Sequence, residues 1–388
     1  MIIGIPEIIR FQGKVRAVVE ISAAEAPVPR TLWFEVPEGR AGFLSRRADA
    51  AMLALLVPAM KSGEDIRIEG AISARLLESA NGECQRILRK VMPFLKQIKV
   101  EAASTMTSAE APPHAHVTGY SGGGDTLCTL LCPRPPDTPA FTHVTHYNVG
   151  SHGRGKKGRE AFGERVRRAA TGAARFGLAL IPADSNLDEF YDKKTDFIAT
   201  HAIRNAAATL CLQNGIARYE YSSAYHRKRQ GEKTEGDISR VEDALMPLFS
   251  TETLTFTVFG SDMSRVEKIL FLAEQPIAYE LLDVCVEPRK TDRNINCSGC
   301  LKCMRAMIIL DIAGKLGRFA PVFDLRKYRL LRWWAFTQFL HGSEDSRAET
   351  EAYARERGFI FPAFARFCAR SIPYRIAKLV KGLIERAA

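Results

Sequence analysis

The chain has 388 residues, 46% of them hydrophobic and 26% charged, and a formal net charge of +11. This balance excludes a disordered or fibrous chain and a small disulfide-framed scaffold, and it predicts two or three globular domains around a large core. No stretch is apolar over the length that spans a bilayer, Met1–Glu7 carries no basic leader, and nine cysteines without such a leader predict a reducing, cytoplasmic setting.

Residues 1–105 read as an α+β domain. Lys14–Ile21, Arg30–Val36 and the alternating run Asp65–Gly70 predict strands, while Ala48–Met60 and Ala80–Met92 predict helices. The domain contains no catalytic pattern. It is expected to cap a site or bind a partner. A Pro/Ser/Thr/Ala-rich stretch follows, placed as a linker over 106–114. From 115 to 312, strands at Phe141–Val144, Ala179–Pro182, Ile216–Tyr221 and Thr255–Phe259 alternate with helices near Arg159–Ala174 and Ile198–Gln213. That order predicts an α/β domain, a parallel sheet with helices on both faces and its ligand beyond the carboxyl ends of the strands. Residues 313–388 predict helices. Leu325–Trp334 and Ile376–Ile384 are basic and amphipathic, which fits packing on the body better than docking on a membrane. Trp333 and Trp334 read as core or interface rather than as a stacking platform for nucleic acid. No internal repeat is present.

Basic clusters at Arg154–Arg159, Arg165–Arg168 and Arg227–Arg229 call for an acidic partner: a nucleotide, RNA or an acidic protein tail. Taken singly, each is also what a solvated helix face looks like. His143, His146, His152 and His201 form no triad pattern with a serine or cysteine. Cys128, Cys211 and Cys368 read as buried thiols, and Cys128 with Cys132 makes a poor redox pair because Pro133 follows.

The most informative segment is Gly119-Tyr120-Ser121-Gly122-Gly123-Gly124-Asp125-Thr126, between the strand end His116–Thr118 and the helix start Leu127–Leu131. A strand, a glycine turn and a helix N-terminus make an anion site: backbone N–H groups point outward, and the helix dipole adds positive potential. Glycines let a phosphate approach the backbone. Ser121 and Thr126 add hydroxyls, and Asp125 can hold the Mg²⁺ that travels with a nucleotide. Neither a G-x-x-x-x-G-K-[ST] nor a dinucleotide fingerprint is present.

The second signal is Cys297-Ser298-Gly299-Cys300-Leu301-Lys302-Cys303, with Cys285 twelve residues upstream. Four thiolates at this spacing can close a tetrahedral Zn²⁺ site that holds a loop and leaves no open position for chemistry. An iron–sulfur cluster is the weaker alternative. Cys285 is expected to end a strand-like run, Ala278–Val284.

The S-G-G-x-D-[ST] turn resembles the PP-loop of the N-type ATP pyrophosphatases. With the distal cysteines, the chain is similar to the 7-cyano-7-deazaguanine synthase branch, over about residues 115–312. His146-Tyr147 and Arg204-Asn205 fall in the family's order, and Phe259–Ile269 resembles its Asp-x-x-Lys-x-Glu segment, with Arg265 standing where a phosphate-contacting lysine is usual. Two features depart from the pattern. The strand Ile216–Tyr221 runs into Ser222–His226 without the family's acid, and the gap from Cys285 to Cys297 is longer. The resemblance implies an adenine-nucleotide-α-hydrolase-like, Rossmann-like fold. It also implies an ATP-dependent ligase that adenylates a small carboxylate, of 7-deazaguanine type, releases pyrophosphate and lets an amine from ammonia or a partner protein displace AMP. ATP would be held by Ser121, Gly122, Gly123, Gly124, Asp125, Thr126, Arg204 and Arg265, with Mg²⁺ on Asp125 and Zn²⁺ on Cys285, Cys297, Cys300 and Cys303. Asp125 and Arg265 would carry the catalytic charge. A tRNA-modifying enzyme of the same loop class and a degenerate nucleotide-binding scaffold are the alternatives.

Overall fold

The computed structural model describes residues 1–24, 28–107, 113–285, 295–341 and 344–371. They form two compact units: residues 1–121 with 133–262, and residues 122–132 with 263–388. The chain passes from the first unit to the second inside the glycine turn, between Ser121 and Gly122. The expected domain boundaries near 105 and 312 do not coincide with this division.

The first unit is built on one eleven-stranded sheet. Its strands are β1 (Ile2–Ile3), β2 (Glu7–Phe11), β3 (Lys14–Ser22), β4 (Thr31–Pro37), β5 (Ile66–Ser73), β6 (Val100–Met106), β7 (Ala115–Gly119), β8 (His143–Tyr147), β9 (Ala179–Ser185), β10 (Ile216–Ser222) and β11 (Thr255–Phe259). They lie in the order β11-β10-β7-β8-β9-β4-β3-β1-β5-β6, and β2 pairs with β3 off this path. Among the described residues six pairings are parallel and four antiparallel, so the sheet is mixed and mostly parallel. Helices flank it. β7 is buried along nearly its whole length, as a strand covered on both faces must be.

Strands β7 to β11 pair with one another in parallel and lie in the order β9-β8-β7-β10-β11. Counted from β7 this is 3-2-1-4-5, an order compatible with a Rossmann-like fold, with its topological switch between the first and fourth strands. Tyr120 and Ser121 emerge from β7 at that switch. The Tyr120 N–H donates to Thr145 O at 2.8 Å. The 21-residue helix Gly155–Arg175 packs on β8 and β9. It carries glycine at 172 because a Cβ there would stand 2.1 Å from the Tyr120 hydroxyl.

Residues 1–105 are not set apart from this sheet. β4 pairs antiparallel with β9 through Phe34–Ser185 and Glu35–Asp184. Asn186 ties the same edge from its side chain, accepting from Trp33 N and donating to Thr31 O at 2.9 and 2.8 Å. One core runs from Met1 to Phe256. Two further expectations are corrected. The helix expected over Ala80–Met92 is two helices, Ala74–Asn81 and Glu83–Val91, broken at Gly82. The placed linker begins on the last residue of β6, because Val100–Met106 finds β5 as a partner; the rest of it falls largely on residues 108–112, outside the described residues.

The second unit is helical. Gly124–Leu131 packs on Arg265–Leu272, which also packs on Leu301–Ile312. That helix packs on Leu325–His341, which packs on Ala363–Ser371. Trp334, Phe319, Phe323, Tyr328 and Phe336 fill the interior, so Trp334 is core as expected. The run Ala278–Val284 is not a strand: Ala278–Leu281 makes one helical turn, and 282–285 have no regular structure. Its alternation finds no neighbouring strand among the described residues of this unit. The segment Ile376–Ile384 lies outside the described residues.

Asp49 holds the first unit together from within. It is fully buried and accepts from Ser73 N at 2.8 Å and Gln213 Nε2 at 2.7 Å, with Arg47 Nε at 2.7 Å. Burial pushes its carboxyl above the usual range, against the pull of Arg47. Removing one partner of a buried pair leaves the other charge uncompensated, at a cost of about 3–5 kcal/mol. Asp49→Ala is therefore expected to lower unfolding free energy by that amount in urea titrations. A change below about 1 kcal/mol would contradict the role assigned to this carboxylate.

Candidate functional site

The glycine turn is as the spacing predicts: strand β7, then Tyr120–Gly123, then the helix Gly124–Leu131 with Gly123 as its extended N-cap. The first N–H groups of that helix have no carbonyl within it to meet. Thr126 Oγ1 donates to Gly123 O at 3.1 Å, which tightens the first turn. Gly122 has φ +74°, and a Cβ there would stand 3.0 Å from Asp283 Cβ and 3.2 Å from Leu281 O. Its carbonyl accepts from Asp283 N at 2.7 Å. Only glycine satisfies both the dihedral and the contact.

Asp125 lies in the first turn, with one oxygen 3.0 Å from Lys268 Nζ. The Lys268 side chain is only 2% exposed and Asp125 37%. A lysine so buried needs a carboxylate partner. It sits on Arg265–Leu272, a helix closed by a capping box between Ser264 and Glu267. Arg265 begins this helix, and its backbone N–H donates to Glu349 Oε2 at 3.3 Å. Lys302 lies in electrostatic reach of Asp125, Arg265 and Arg305. The sequence reading named Asp125 and Arg265 but missed Lys268. The i, i+3 spacing from Arg265 is the signal that points to it.

Arg204 is not free to take a ligand in the way its motif suggests. It is 1% exposed, donates to Asp188 Oδ1 at 2.6 Å, Val149 O at 3.1 Å, Thr195 O at 3.0 Å and Thr200 Oγ1 at 2.8 Å, and lies over the Tyr191 ring. Its fork is committed to holding loops of the first unit. Asn205, its neighbour, donates to His201 O at 2.8 Å. His201 itself sits between the Tyr221 hydroxyl and Ser239 Oγ, at 2.8 and 3.0 Å.

The segment after β10 does hold an acid, brought from further along the chain. Glu242 is fully buried, and its Oε1 accepts from Ser223 Oγ and Ala224 N, both at 2.6 Å. No local pattern announces a carboxylate nineteen residues downstream of the serine it holds.

His146 and His152 are hydrogen-bonded, Nε2 to Nε2, at 3.3 Å. His146 Nδ1 lies 2.8 Å from Tyr120 O, which can only accept, so Nδ1 carries the proton and Nε2 is the acceptor. His152 then donates from Nε2, and its Nδ1 accepts from Ser151 Oγ at 3.0 Å. Phe162 stacks on His146. Burial lowers both imidazoles, His152 to about 3, with further depression from its neighbour and Arg165.

Cys285, Cys297, Cys300 and Cys303 converge, with all four sulfurs within 4.8 Å of one another. Cys297 and Cys303 Sγ are 3.9 Å apart, and Cys300 and Cys303 3.4 Å. The sulfur edge of a tetrahedral zinc–thiolate site is about 3.8 Å. The donor set therefore fits a thiophilic metal ion. Hydrogen bonds, first from Cys285, pull the Cys297 thiol down to about 6 and Cys300 lower still. Ser298 takes φ +55° in the turn between the first two closely spaced cysteines. Cys303 and Cys300 lie at the start of the helix Leu301–Ile312, whose N-cap is Cys300. Cys128 is buried, and a hydrogen bond with Cys132 together with burial pushes its thiol far up. Cys211 is likewise buried and raised, to about 12, by burial.

Comparison of the chain with family models, curated proteins and solved structures returned no match. Among the described residues no helix is long and apolar enough to cross a membrane.

Two outcomes follow from this geometry. Protein prepared with zinc is expected to carry about one ion per chain and to release it to a strong chelator, while Cys300→Ser retains almost none; inductively coupled plasma spectrometry on the two decides it. The histidine pair sets a pH dependence. Its folded pKa values lie below the unfolded value of about 6.5, so the unfolded chain binds more protons and stability falls as pH drops from about 6.5 toward 3. The slope from one imidazole is at most about 1.4 kcal/mol per pH unit. His152→Asn is expected to flatten the unfolding free energy between pH 6.5 and 4, and an unchanged slope would exclude the pair as its source.

Proposed function

We propose that this protein is an ATP-dependent ligase of the PP-loop type, forming AMP and pyrophosphate. The observation that carries the reading is the glycine turn: it follows the first strand of a 3-2-1-4-5 parallel array, opens a helix, and has the buried Lys268 ammonium on Asp125 in that helix's first turn. Helix N–H groups and buried cations are the donors a departing diphosphate needs, in surroundings where they act strongly.

In this reading Ser121, Gly122, Gly123, Gly124 and Thr126 cradle the β,γ-phosphates. Lys268 and Arg265 offset the negative charge that grows on the leaving group. Asp125 orients Lys268 with one oxygen, and through the other it would organise Mg²⁺, which supplies charge neutralisation when bound. An oxygen of the acceptor carboxylate attacks the α-phosphorus. The bond from that phosphorus to the bridging oxygen breaks and pyrophosphate leaves. A neutral amine then attacks the acyl carbon, forms the C–N bond, loses a proton to solvent and displaces AMP. A 7-deazaguanine acid is the acceptor class suggested by the resemblance. Zn²⁺ on the four cysteines would be structural, because four protein ligands leave no open position.

A second reading places the acceptor on RNA. The helix Gly155–Arg175 exposes Lys156, Lys157, Arg159 and Arg167, and a net charge of +11 favours a polyanion. Binding of tRNA that weakens steeply with salt would select it.

The test is a product assay with labelled ATP over a panel of carboxylates and amines. AMP and pyrophosphate are expected, and ADP with phosphate would refute the mechanism. Lys268→Met should lower turnover by about 10²–10³-fold, the scale of losing one preorganised donor, with the circular dichroism spectrum unchanged.

A further inference from the structure

The span Leu282–Val284 has no regular secondary structure, yet it is held from both sides. On one side the Asp283 N–H donates to Gly122 O at 2.7 Å, and Gly122 has room for no side chain against Asp283 and Leu281. On the other side lies Asn296, 1% exposed, whose amide works as a two-pronged clamp: Nδ2 donates to Leu282 O at 2.7 Å, and Oδ1 accepts from Val284 N at 2.9 Å. Asn296 is itself pinned, its backbone N–H and its Nδ2 both donating to Val322 O at 3.1 Å.

The next residue after each of these points is a sulfur ligand. Cys285 follows Val284, Cys297 follows Asn296, and Cys303 Sγ comes within 3.9 Å of Asn296 Oδ1. Alternate backbone groups of one short span therefore face two different places: Leu282 and Val284 meet the clamp beside the sulfurs, and Asp283 meets the glycine turn. No strand or helix holds 282–285; these ties, with the Leu282 N–H donating to Ala278 O at 3.1 Å, fix its position. Closing Cys285 onto Cys297, Cys300 and Cys303 through a metal ion adds the strongest of them.

We infer that metal occupancy of the four-cysteine cluster sets the conformation of the glycine turn, with Asn296 and Asp283 as positioning residues, so that metal binding and phosphate binding at the turn are coupled. The second half rests on the phosphate-turn reading above; the first half does not. The coupling is reciprocal: a metal that strengthens phosphate binding is itself held more tightly once phosphate is bound, by the same factor. It gives the cluster a regulatory meaning beyond holding a loop, because loss of the metal would loosen the turn from a distance.

The experiment uses the full chain with zinc bound and after removal by chelator, each titrated calorimetrically with Mg·ATP and each followed by backbone hydrogen exchange. Stripping is expected to weaken Mg·ATP binding about five-fold or more, and saturating Mg·ATP to slow zinc transfer to a colorimetric chelator. It should also raise exchange in Gly122–Asp125 and at Asp283, while β3 and β5 of the first unit stay protected. Asn296→Ala should keep its zinc and still show the weakened binding and raised exchange. Equal affinity of the two forms with unchanged exchange at the turn overturns the inference, and the wild-type comparison decides this even where the variant does not fold. If neither form binds Mg·ATP, exchange decides alone: a rise on stripping upholds control of the turn by the metal and leaves the nucleotide reading as the one that fails, and no rise overturns both.

Discussion

Five parallel strands can be wound outward from β7 in two directions only if the chain crosses back over the sheet once, and the turn after β7 starts at that reversal. The phosphate-turn reading depends on it. The turn that follows β7 begins at that switch. It must reverse direction within four residues, take a left-handed backbone at Gly122, and start a helix at Gly124. A bulkier residue at 122 would collide with Asp283 and Leu281. The same residue thus meets a local dihedral demand and a packing demand, which is why a motif read for ligand approach turns out to serve the architecture as well.

Charge is handled differently in the two units. In the first, buried charges are matched within the scaffold: Arg204 with Asp188, Arg134 with Glu220, and Asp49 with Arg47. These pairs hold loops and strand ends in place and leave little capacity for a ligand. In the second, Lys268 is buried, but its partner Asp125 remains more than a third exposed. A pair with one member open to solvent can exchange partners at modest cost, whereas a sealed pair cannot. On this physical ground Lys268 is a better candidate than Arg204 to meet an incoming phosphate, although both are arginine or lysine near the expected landmarks.

The glycine turn, the cysteine cluster and the alternation of strands and helices from β7 to β11 were legible in the sequence. Each is local: a turn dihedral, a ligand spacing and a hydrophobic period are all set by residues close together in the chain. The two short N-terminal strands, and the joining of residues 1–105 to the main sheet through β4 and β9, were not. Strand pairing across about 150 residues is fixed by edge complementarity and by side chains such as Asn186, and nothing within one segment announces it. The break at Gly82 and the collapse of Ala278–Val284 into a helical turn show the same limit. Alternation makes a strand only where another strand is present to accept its hydrogen bonds.

By itself the amino-acid order determined the chemistry on offer: which residues could cradle an anion, which could bind a thiophilic metal, and that strands and helices alternate from β7 to β11. Only the tertiary structure decided which groups meet. It put Lys268 on Asp125, Glu242 under Ser223, His152 on His146, and Asn296 across Leu282 and Val284. The reason is physical. Burial makes an unpaired polar group costly, so the folded chain brings together partners that lie far apart in sequence, and those meetings are properties of the packed core that no local pattern encodes.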